Sequence, residues 1–125
     1  MKITVTIVRT LMGLLLLFAS ISFLFKLIPQ PELTGDVKTF MDGMIATGYL
    51  LTLIKVTELV CGIAFVSGLF VALACIVIAP IVVNIFLFHA FVDTSGLPVA
   101  VFLVVANGLV AYANWDKFKP LLKAK

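Results

Sequence analysis

From residue 46 to residue 92 the chain carries no charge except Lys55 and Glu58. As one helix this block would measure about 70 Å at about 1.5 Å per residue, more than twice the roughly 30 Å hydrocarbon core of a bilayer. It therefore has to fold back on itself. The one good internal turn is "SGLF" at 67–70, where Gly68 can take positive φ and end a helix. The block predicts two antiparallel spans, 46–67 and 69–92, with Pro80 kinking the second.

The rest of the chain agrees with a membrane reading. Of 125 residues, 63% are hydrophobic and 12% charged, with a mean hydropathy of +1.28. A soluble fold this small has too little interior to hide so much apolar surface. A transmembrane barrel would need strands that alternate apolar and polar. Runs such as "MGLLLLFA" are apolar on every side, so helices must satisfy the backbone.

A first span covers residues 3–28, with Arg9 and Lys26 snorkelling to the two surfaces and Pro29 and Pro31 closing it. The polar loop that follows carries a short amphipathic piece in "DVKTFMDGMI". A last span covers 97–115: Ser95 suits an N-cap, Pro98 a first turn, and Tyr112 and Trp115 the far interface. The expected fold is all-α, an integral membrane bundle of four transmembrane helices in a single domain, 1–125. Lys2, Arg9, Lys117, Lys119, Lys123 and Lys125 gather at one side. The positive-inside rule then puts both termini in the cytoplasm. A cleaved signal peptide at the start would leave the lysine-rich tail outside, against that rule.

Charge within a bilayer costs about 2.5–3.5 kcal/mol per residue on insertion scales, so the intramembrane polar residues need reasons. Lys55 and Glu58 stand at i and i+3 on one helical face and can neutralise each other. Taking the second span as entering from the outer surface, they lie about 13 and 18 Å deep. Asn84, Asn107, Ser20 and Ser22 fall in the same half of the membrane, and Lys26 and His89 nearer its surface. One inward cluster of Lys26, Lys55, Glu58, Asn84 and His89 is the candidate ligand site. Ser20, Ser22 and Asn107 read as hydrogen-bonding glue between helices, and Gly13, Gly62 and Gly68 as points of close approach. Cys61 and Cys75 flank Gly68 symmetrically and read as small apolar core residues. No phosphate loop and no His/Cys metal spacing occurs, and one His cannot give a bis-histidine haem.

The segments "VRTLMGLLLLFASISFLFKLIP", "GYLLTLIKVTELVCGIAFVSGLF" and "ALACIVIAPIVVNIFLFHAFVDTSGLPVA", with the basic "WDKFKPLL" end, resemble the DoxX family of small four-helix membrane proteins in order and spacing. The resemblance reaches over nearly the whole chain. It implies Arg9, Lys26, Lys55, Glu58, Asn84 and His89 as family-like polar positions, while Asn107 stands where a more acidic or Gln-like residue is expected. It also implies a membrane subunit of a thiosulfate:quinone oxidoreductase, or of an oxidative-stress complex with superoxide dismutase and a sulfurtransferase. Remoter relatives resemble membrane chaperones and cargo receptors.

Three classes of function stay open on the residues. One is a small-solute or ion pathway, which four spans without a visible inverted repeat disfavour unless the chain oligomerises. In another, the chain is a subunit of a redox complex that binds a sulfur oxyanion or a quinone in an outer pocket. In the third it is a non-enzymatic scaffold or assembly factor. The expected setting is the lipid bilayer of a bacterial inner membrane, as a multi-pass protein with partner membrane subunits or further copies of itself, and no nucleic acid.

Overall fold

The computed structural model describes residues 2–26 and 32–124. The expected end of the first span at Ile28 and the Pro29/Pro31 break lie outside the described residues. Among the described residues there are six α-helices: α1 (Lys2–Leu24), α2 (Gly35–Ala46), α3 (Leu50–Ser67), α4 (Val71–Phe91), α5 (Leu97–Ala113) and the short α6 (Trp115–Phe118), the last followed by a 3-10 turn. Among the described residues there is no strand. Four helices, α1, α3, α4 and α5, are long and apolar enough to cross a membrane.

Local chemistry sets the ends of these helices. Lys26 closes α1 at φ 53° and Gly68 closes α3 at φ 79°, both left-handed. Gly68 tolerates that conformation freely, whereas Lys26 carries a Cβ through it. In α2, Asp36 sits in the positively polarised first turn and Lys38 pairs with Asp42 one turn on, Nζ to Oδ2 2.7 Å. Helix α4 continues through Pro80, which lacks the N–H for the Ile76 carbonyl without ending the helix. At the α4–α5 corner the cap is Asp93 rather than Ser95. Its Oδ1 accepts from the Ser95 N–H at 3.2 Å and from the Ser95 hydroxyl at 2.6 Å, nucleating a 3-10 turn at Thr94–Gly96. Pro98 then falls in the first turn of α5.

The four spans form a closed ring in which α1 packs on α3, α3 on α4, α4 on α5, and α5 back on α1. Met12, Leu16, Phe65, Ile78, Leu103 and Val110 are among the members of one core shared by all four. The α1–α3 contact is the closest. A Cβ on Gly13 would sit 2.7 Å from Val66 Cγ2, and one on Gly62 would sit 3.0 Å from Leu17 Cδ2. Only 22–28% of each span is buried inside the protein, so the remaining apolar surface faces outward as a lipid-exposed bundle requires. Helix α2 packs beside α3 and touches the end of α4 through Phe40 and Phe88, whose ring centroids are 4.8 Å apart.

Candidate functional site

Lys55 and Glu58 project from one face of α3 and meet, Nζ to Oε2 3.2 Å. Glu58 is 3% exposed and sealed in the bundle. Lys55 is half-buried, and its ammonium lies 5.7 Å from the centroid of the Phe23 ring on α1. The pair itself lies within α3, one turn from Gly62, and Lys55 alone reaches toward α1. The ring face offers the ammonium a second attractive surface, worth about 0.5–2 kcal/mol depending on desolvation. This arrangement answers both charges locally. Breaking it would strand one of them in a poorly solvating interior.

The remaining members of the expected cluster go elsewhere. Lys26 is exposed at the end of α1. Asn84 is exposed on the outer face of α4, and its side chain makes no hydrogen bond among the described residues. His89 turns to the corner after α4: Nδ1 lies 2.9 Å from the Asp93 carbonyl, and its ring stands edge-on to Phe88 at 5.0 Å. A Cβ on Gly96 would run into that imidazole, so His89 fits against the 3-10 turn. Lys55 and Glu58 are thus brought together, while Lys26, Asn84 and His89 make no contact with them among the described hydrogen bonds and ion pairs.

The hydrogen-bonding residues divide in the same way. Ser20 is fully buried and donates back to its own helix, to the Leu16 carbonyl at 2.8 Å. Asn107 reaches from α5 to α4, where Nδ2 donates to the Cys75 carbonyl at 3.4 Å. Its buried Oδ1 has no partner among the described residues. This amide borders a cavity of ≈ 440 Å³ walled by Cys75, Ala79, Tyr112, Trp115 and Phe118. Sequence reasoning missed the cavity, because Asn107 reads as helix glue until the rotation of α5 is known. Cys61 and Cys75 are both buried and free, and Cys61 Sγ lies 3.9 Å from the Ala74 carbonyl across the α3–α4 contact. Among the described residues no group of three His, Cys, Asp or Glu could hold a metal ion.

With this geometry in place, the sequence profile of the DoxX family matches residues 4–90. The chain belongs to the DoxX family. The matched region takes in α1 to α4 and stops short of α5, less than the resemblance suggested. No match was found among curated proteins or among solved structures. Family membership and the four spans together make this DoxX-family chain a multi-pass membrane protein.

Proposed function

We propose that this DoxX-family protein is a non-catalytic membrane scaffold that receives a partner's transmembrane helix on the outer face of α4. The observation that carries the reading is Asn84. It stands about 13 Å from the Asp93 corner, well inside the hydrocarbon layer, with its amide exposed and unbonded among the described residues. An amide facing lipid loses all its hydrogen bonds. One facing another helix can recover them, for about 1–2 kcal/mol in model peptides. Ile76, Pro80, Leu87 and Phe91 share that outward face, and all are exposed. The Lys55–Glu58 pair supports the same reading, because its two charges meet within α3 and Glu58 is sealed from any ligand. By the positive-inside rule the basic end of the bundle faces the cytoplasm of a bacterial inner membrane.

A photo-crosslinking residue at position 84, tested in membranes, decides the matter. A discrete protein adduct is expected at 84 and not at Val105, which is 61% exposed on α5. Lipid adducts alone at both positions would overturn the proposal.

One observation favours the alternative of a redox subunit: the unpartnered Asn107 Oδ1 beside an apolar, aromatic cavity. An acceptor there suits a hydroxyl donor, as a quinol offers, rather than a quinone carbonyl. Any electrons would come from a partner subunit. Saturable binding of a short-chain quinol analogue, lost in Asn107→Leu, would support that reading, and equal partitioning into both proteins would sink it.

A further inference from the structure

A second cavity opens at the basic end of the bundle, where the start of α1, the α3–α4 turn and the end of α5 come together. It measures ≈ 670 Å³, within the roughly 300–1,000 Å³ range of small-ligand sites. Three cations line it: Lys2 and Arg9 from α1, and Lys117 from α6. Asn114, Tyr112 and Trp115 add polar and aromatic wall, and Val5, Val71 and Ala113 supply apolar wall. Among the described residues no carboxylate lines the cavity, and no carboxylate pairs with Lys2, Arg9 or Lys117. Asp116 is exposed and stands outside the lining.

Arg9 is the member held in place. It is half-buried, and a Cβ on Gly68 would collide with its guanidinium. The residue that ends α3 therefore leaves room for this side chain. The guanidinium so rests at the C-terminus of α3, whose dipole carries about half a negative charge. That is enough to orient Arg9 and too little to cancel it. Its planar donors suit two oxygens of one phosphate.

We propose that this cavity binds the phosphate headgroup of an anionic phospholipid, with Arg9 as the central contact and Lys2 and Lys117 closing around it. Two features select a lipid over a free anion. The site lies at the end of the four spans, at headgroup level, and half its wall is apolar or amphipathic. Tyr112 and Trp115 are the side chains that settle where acyl chain meets headgroup. Basic recesses between transmembrane helices are chemically matched to such headgroups.

The protein supplies its own reporter, since Trp115 is its only tryptophan and lines the cavity. The full chain would be reconstituted in phosphatidylcholine vesicles containing a small fraction of either brominated phosphatidylglycerol or brominated phosphatidylcholine. Bromine on the acyl chains quenches a tryptophan it approaches. The anionic lipid is expected to quench at about tenfold lower mole fraction, since one charge-assisted pair is worth roughly that factor. Arg9→Gln should erase most of the preference, and Lys123→Gln, in the exposed tail, should keep it. The double variant Lys2→Gln/Lys117→Gln carries the test if Arg9→Gln fails to fold. Equal quenching by the two lipids in wild type would overturn the proposal, as would an undiminished preference in both cavity variants. Loss of the preference on adding excess inorganic phosphate would overturn the lipid assignment in favour of a free anion.

Discussion

Replacing Lys55 by Met, Glu58 by Leu, and both together measures what the intramembrane ion pair does. Glu58 is 3% exposed and its one described partner is Lys55 at 3.2 Å. Removing Lys55 leaves a sealed carboxylate unpaired, a change that costs about 3–5 kcal/mol in buried pairs. Removing Glu58 leaves an ammonium that is 20% exposed and still near the Phe23 ring. A lysine so placed can snorkel toward the membrane surface, so about 1–2 kcal/mol is expected. The double variant removes both desolvated charges and leaves methylene-rich side chains of similar bulk, so it should fall within about 1 kcal/mol of wild type or be more stable. The coupling across the cycle is then about 3 kcal/mol or more, at the top of what contacting residues show. The assay is denaturant unfolding of the detergent-solubilised full chain, followed by helical circular dichroism. A double variant destabilised by the sum of the single ones would refute the reasoning, because it would mean each charge is used by something other than its partner.

Other substitutions test the remaining contacts. Gly13→Ala should destabilise by about 2 kcal/mol in the same assay, because its Cβ would meet the Val66 backbone nitrogen at 2.9 Å as well as the side chain. Gly108→Ala meets nothing within 4 Å and should be neutral or stabilising by up to about 1 kcal/mol. Asn107→Leu removes an unpaired acceptor for one long hydrogen bond, so stability should change by less than about 1 kcal/mol. The Ser95 hydroxyl and N–H hold the Asp93 carboxyl below its ordinary range. A depressed carboxyl contributes stability above its unfolded-state value and loses it as pH falls through the folded one. Ser95→Ala should therefore raise the Asp93 midpoint in an NMR titration and move that loss to higher pH.

How far the sequence could be read depended on which physical constraint each residue answers to. The four spans were legible because bilayer thickness fixes helix length, and the reversal at Gly68 because few residues take positive φ easily. Lys55 and Glu58 were legible as partners because residues three apart on a helix share a face. The direction of Asn84 was not. Helix α4 is apolar on all sides, so no stripe in its pattern tells core from lipid, and Ile78 and Val82 reach the core while Asn84 turns away. His89 was readable as a membrane-edge residue, but its carbonyl partner depends on the 3-10 turn. That turn arises because the Asp93 side chain captures Ser95 before Ser95 can cap a helix.

The polar residues that a bilayer should exclude thus separate by what answers them. The Lys55–Glu58 pair is answered inside the chain, within α3 and beside Phe23. Arg9, Lys2 and Lys117 sit where a headgroup can answer them. Asn84 and the Asn107 carbonyl oxygen are answered by nothing in the described protein, and they lie on different helices. A scaffold needs only the first to find a partner, whereas a redox subunit needs the second to find a ligand. Asn84→Leu and Asn107→Leu therefore discriminate between the functions. Loss of the partner with Asn84→Leu alone supports the scaffold, and loss of ligand binding with Asn107→Leu alone supports the redox subunit.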